Sequence, residues 1–150
     1  MNLAQLNIAR LRFALDTSEL KDFVDALPEI NALAEKSPGF VWRLQDESGD
    51  ATHVENPFGE GVIVNLTLWE SVEALRAYVY HSPHMAYLRR RREWFDHAGI
   101  EAHLVLWWVP VGHTPTLDEA AERLDDLVTN GTSQRAFTLR EPFGAGGTRA

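Results

Sequence analysis

An α+β fold of order β-α-β-β-α-β, followed by one further helix, is what this sequence predicts. Three observations carry the prediction. Four stretches alternate apolar residues at every second position, stretches of helical spacing follow the first and third of these, and Gly, Pro and Asn punctuate the joints. This is the ferredoxin-like order, an antiparallel sheet with its helices on one face. Such a sheet leaves its other face bare, so a second copy is expected to cover it and make a dimeric α+β barrel.

Taken in chain order, "LAQLNIARLRF" reads as the first strand, with Ala4, Leu6 and Ile8 on one face and Gln5, Asn7 and Ala9 on the other. Residues 18–36 read as a helix, since Leu20, Phe23, Val24, Leu27, Ile30 and Leu33 recur at helical spacing and Thr17 or Ser18 can cap its start. Pro28 lies inside it and predicts a kink or break near Ala26. After the Pro-Gly turn, "FVWRLQD" is the second strand, with Phe40, Trp42 and Leu44 on one face. "GVIVNLTLW" is the third and clearest strand, and "ESVEALRAYVY" is a helix with Val72, Leu75 and Val79 along one side.

Ser82 and Pro83 then restart the chain as a new helix, serine as N-cap and proline at the first helical position, so the second helix is broken. Met85, Leu88 and Phe95 give the restarted helix its apolar side. "IEAHLVLWWVP" is the fourth strand. "TPTLDEAAERLDDLVTNG" is an acidic C-terminal helix, with capping-box spacing between Thr116 and Glu119 and Asn130-Gly131 at its end. "RAFTLREPF" adds an extended segment. Residues 1–143 are expected to form one domain, and "GAGGTRA", residues 144–150, a flexible tail.

Composition narrows the function classes. The net charge of −8 argues against nucleic-acid binding, which needs a basic face, and Arg89 to Arg92, spread around a helical turn, form no stripe. The absence of cysteine removes disulfides, thiolate nucleophiles and sulfur-ligated zinc. The N-terminus lacks the pattern of a signal peptide and no apolar run reaches the roughly 20 residues of a membrane span, which points to a cytoplasmic protein. Phosphate-loop, dinucleotide and Gly-x-Ser-x-Gly motifs are absent.

Under strict alternation Leu6, Ile8, Phe40, Trp42, Leu44, Val62, Val64, Leu66, Leu104, Leu106 and Trp108 make one almost wholly apolar face. The other carries Gln5, Asn7, Arg43, Asn65, Thr67 and His103 among Val41, Ile63, Val105, Trp69 and Trp107. A face buried by dimerisation that keeps amides, an arginine and a histidine either satisfies them in a hydrated interior or lines a ligand pocket. His81 and His84 stand three apart, but the Ser82-Pro83 break removes their common helix face, so no metal is expected. His84 is expected in the first turn of its helix, where the dipole favours the neutral imidazole, and is the candidate base; capping local backbone is its other use.

The segments "LWESVEALRAYVYHSPHMAYLRRRREWF" and "LVLWWVPVGHTPTLDEAAERL" resemble a family of uncharacterised bacterial proteins in the dimeric α+β-barrel superfamily. The most specific parts are the tryptophan ending the third strand, the Ser-Pro-His helix start and the Trp-Trp-Val-Pro-x-Gly-His strand end, within a likeness running from about Leu3 to Phe143. The superfamily holds antibiotic-biosynthesis and haem-degrading monooxygenases. The looser resemblance to the former implies an enzyme that deprotonates an aromatic or polyketide-like substrate, whose carbanion then reacts with oxygen without metal, flavin or other cofactor. It implies that Asn7, Asn65 and Trp69 position the substrate and that His84 takes its proton; strand parity adds Arg43, His103 and Trp107 as candidates for the pocket, and His81 stands beside them. Haem degradation would need a proximal histidine where this chain has Arg89 to Arg92. The rival expectation is a non-catalytic small-molecule-binding or stress-related homodimer with the same pocket.

Overall fold

A computed structural model describes residues 1–14, 16–45, 57–59, 61–81, 90–96 and 103–145. The elements are β1 (Asn2–Leu11), a 3-10 turn (Ser18–Leu20), α1 (Lys21–Lys36), β2 (Phe40–Arg43), β3 (Val62–Trp69), α2 (Val72–His81), α3 (Arg91–Trp94), β4 (Phe95–Asp96), β5 (Leu104–Val109) and α4 (Leu117–Asn130). All pairings are antiparallel, and the main sheet has the order β2-β3-β1-β5, as the ferredoxin-like reading requires. The two-residue β4 continues beside β1 beyond β5, pairing Asp96 with Arg10 and Phe95 with Leu11. Phe95 is therefore in a strand, not on the apolar side of a helix. The Ser82-Pro83 restart, with His84, Met85 and Leu88, lies outside the described residues.

Three further details of these elements differ from the sequence reading. Helix α1 runs through Pro28 without a break. Proline removes only the bond to the carbonyl of Val24, and Val24 lies on the exposed side, where water can serve that carbonyl. The expected side-chain caps do not form: Leu20 is the α1 N-cap, and the Thr17 hydroxyl donates to the Ala14 carbonyl at 2.6 Å. In β2 the register slips between Phe40 and Trp42, which pair with Trp69 and Leu68, so these two aromatics occupy opposite faces. α4 follows its expectation, with the Thr116 hydroxyl accepting from the Glu119 amide and Gly131 closing the helix at φ 76°.

The sheet is buried on both faces, but by different partners. Ala4, Leu6 and Ile8 pack with Val62, Val64, Leu66 and Leu68 and with Val105, Trp107 and Val109 against Ala120 and Leu124 of α4. Each Val, Leu or Ile among them contributes about 1.5–3 kcal/mol when fully buried. The apolar face is thus filled by the chain's own C-terminal helix; the sequence reading puts the second copy on the other, polar face. Helices α1 and α2 lie instead on the face carrying the polar strand residues. Under α2, Leu3, Trp69 and Leu106 pack with Val72, Leu75 and Phe137; by the start of α1, Leu20, Phe23 and Trp94 pack with Leu11 and Ile63. Gly39 seats α2 on the sheet: its φ is +83°, and a Cβ there would lie 2.5 Å from the Cβ of Ala74.

Candidate ligand-binding site

Alternation along β1 puts Leu3, Gln5, Asn7, Ala9 and Leu11 on the helix-bearing face. Leu3 belongs to the apolar cluster under α2 and Leu11 to the one near the start of α1. At about 3.4 Å per residue, Asn7 stands roughly 14 Å from each. Its cross-strand partner on β3 is Asn65, and its partner on β5 is Leu104. Both asparagines are exposed, although they sit on the two central strands of the sheet. Asn65 is the sole exposed residue of β3, and on β1 only Arg10, at the far end, is also exposed. The opening in the centre of the sheet therefore coincides with a single Asn–Asn pair between two apolar clusters.

One row further along lie Thr67, Gln5 and Leu106, with Arg43 at the outer edge. Gln5 and Thr67 are buried, and both are satisfied within the row. The Trp69 indole donates to the Thr67 hydroxyl at 2.9 Å, and that hydroxyl donates to Gln5 Oε1 at 3.4 Å. Gln5 Nε2 donates to the backbone carbonyl of Asn65 at 3.2 Å and to its Oδ1 at 3.4 Å. Trp69 is 1% exposed and lies stacked on Tyr78 with ring centroids 5.1 Å apart, while Phe40 meets it edge-on at 5.5 Å. Burial pushes the Tyr78 phenol up to about 12, so it is a hydrogen-bonding group and not a base near neutral pH. Its hydroxyl donates to the Ile30 carbonyl at 3.4 Å and ties α2 to α1.

The structure gathers only some of the expected site residues. Asn7, Asn65 and Trp69 share the helix-bearing face, Trp69 as a buried wall that reaches the floor through Thr67 and Gln5. Arg43 shares that face but is engaged by Glu35 of α1, its Nε donating at 3.0 Å. Trp107 does not belong to the group. The pairing Leu6↔Val105 and Ala4↔Trp107 gives β5 the opposite parity to that expected, so Leu104, Leu106 and Trp108 face the helices and Trp107 lies in the apolar core. There its indole donates to Glu119 at 2.8 Å, and the other oxygen of that carboxylate meets His113 at 2.6 Å. His103 has the parity of Val105 and Trp107 and is exposed, with its carbonyl accepting from the Ile8 amide at 2.9 Å. The backbone of His81 ends α2; its side chain, like all of His84, lies outside what the structure describes.

The sequence places Gln5 and Thr67 on the polar face by their alternation with Asn7 and Asn65, but they are not among the expected site residues. Arg90 is a part-exposed arginine held by ion pairs. Its guanidinium bonds Glu93 at 2.8 Å and Asp22 at 2.9 Å and lies 4.8 Å from the Trp94 ring centroid, and the bond to Arg90 holds the Glu93 carboxyl below its ordinary range. Among the described residues no cluster of three or more potential metal ligands occurs, and no helix is long and apolar enough to cross a membrane.

Among solved structures, SnoaB, a cofactor-independent oxygenase from Streptomyces nogalater, is similar at 15% identity over 77% of this chain and 98% of that one, with a TM-score of 0.47. Rv0793 from Mycobacterium tuberculosis is similar at 14% identity over 77% of this chain and 100% of that one, TM-score 0.49. A monooxygenase from the gene ActVA-Orf6 of Streptomyces coelicolor, in complex with nanaomycin D, is similar at 17% identity over 77% and 92% of the two chains, TM-score 0.44. No curated protein matches the sequence. Residues 2–150 match the family described as a domain of unknown function, DUF3291, and the chain belongs to that family.

Proposed function

We propose that the chain binds a small aromatic or polyketide-like molecule over the Asn7–Asn65 pair and oxidises it as a cofactor-independent monooxygenase. The observation that supports this reading is the coincidence of the sheet's central opening with two exposed cross-strand carboxamides, between two apolar clusters. At a ring CH2 the overall change is CH2 + O2 → C=O + H2O, and the substrate itself supplies the electrons. The carbanion that starts it carries its charge on a conjugated oxygen, and carboxamide N–H groups stabilise such an oxyanion. His84 is the proposed base. The homodimer remains a proposal on assembly, for sedimentation to decide.

The test is oxygen uptake with an anthrone as probe, alongside equilibrium binding of the same compound. The wild type should consume oxygen, Asn65→Ala should weaken binding and slow turnover, and His84→Ala should slow turnover with little change in binding. Binding without oxygen uptake would establish the non-catalytic binder instead. No binding to the wild type refutes both readings of the cleft.

A further inference from the structure

The polar row beside the Asn7–Asn65 pair has a direction. An indole N–H can only donate, so the Thr67 oxygen that receives it must turn its own hydrogen elsewhere, and the acceptor in reach is Gln5 Oε1. That fixes the Gln5 carboxamide with its NH2 toward Asn65. A second group demands the same orientation independently: the backbone carbonyl of Asn65, which can only accept, receives Gln5 Nε2 at 3.2 Å. With an NH2 facing it, Asn65 must present Oδ1 to Gln5, because the flipped amide would set two donors against each other. The NH2 of Asn65 is then turned away from Gln5, on a residue that is exposed.

We propose that Gln5 and Thr67 are positioning residues that lock the Asn65 carboxamide with its NH2 toward the cleft. The site therefore selects ligands that offer an oxygen acceptor, a carbonyl or oxyanion on an aromatic frame, over ligands that offer an N–H. This rests on the reading of the cleft as a ligand site and adds the chemistry the ligand must carry. The polarity originates at Trp69, which is 1% exposed and so acts through the row. A free asparagine would present either end equally well. One held in a single sense converts a geometric floor into a chemical filter.

The experiment uses two flat tricyclic probes, xanthone with a carbonyl acceptor and carbazole with an N–H donor, titrated against the intact chain. Wild type should prefer xanthone by about tenfold, the difference between one hydrogen bond made and one donor–donor conflict. Gln5→Met, close in volume and without polar hydrogens, should bring the two affinities near parity. In parallel, the side-chain amide resonances of Asn65 are followed in the free protein, where Gln5→Met should move them. Preference retained in Gln5→Met, or absent from wild type, overturns the filter, and unmoved Asn65 resonances overturn the lock. Neither probe binding to wild type while those resonances do move removes the ligand reading of the cleft, and acceptor selection with it, and leaves the lock standing.

Discussion

Replacing Gly39 by alanine should unseat α2 from the sheet. Two effects add. The backbone at Gly39 has φ +83°, in the left-handed region where a Cβ costs about 1–2 kcal/mol. The new methyl would also lie 2.5 Å from the Cβ of Ala74, against the ~3.5–4.0 Å at which carbons attract. Neither carbon is the end of a flexible side chain, so helix or turn must move, and overpacking of this kind costs about 1–3 kcal/mol. The expected destabilisation is about 2–5 kcal/mol, read from the midpoint of urea unfolding at unchanged slope. The two parts separate in a double-mutant cycle. Ala74→Gly alone should cost about 1 kcal/mol, as glycine does within a helix. In the Gly39→Ala background it should relieve the collision, so the double variant is more stable than additivity predicts by about 1–3 kcal/mol. Strict additivity would show that the close approach of α2 is not what excludes a side chain at Gly39.

Glu119→Ala leaves the buried Trp107 indole without its acceptor and should destabilise by about 1–3 kcal/mol in urea. In a Trp107→Phe background the same change should cost much less; equal costs would refute the role of that bond. Tyr78 predicts an alkaline effect. Its phenol stays protonated to about 12 in the folded chain and ionises near 10 when unfolded, so the unfolded state loses the proton first and stability falls between those values. The loss is about 3 kcal/mol across the window, and Tyr78→Phe should flatten that part of the unfolding profile. A tyrosinate absorbance titration with no group near 12 would contradict the assignment.

Period-two and helical patterns made the order of elements readable because each face they describe is filled by a contiguous partner. β3 is the clearest case, since Val62, Val64, Leu66 and Leu68 do face one apolar core. What misled was register, which periodicity does not contain. β5 carries apolar residues on both parities, so nothing in "LVLWW" says which side Trp107 takes until Ala4 is set opposite it. The slip in β2 is equally silent, because Phe40 and Trp42 suit either face. Asn7, Asn65 and Trp69 could be singled out by the resemblance of the chain to a known superfamily. Gln5 and Thr67 could not, because their part depends on who donates to whom, and that appears only once the strands are paired. The choice of covered face had a similar limit: α4 was legible as amphipathic, but not the sheet face on which it lands.

That landing has a consequence for how the fold behaves on dilution. A sheet whose apolar side is closed by a second chain holds that side dry by mass action, and its stability falls with protein concentration. Here Ala120 and Leu124 come from the same chain as Leu6, Leu66 and Val105. Closure of that face is unimolecular, set by the short tether between Val109 and Leu117, and it is the same at trace abundance as at high expression.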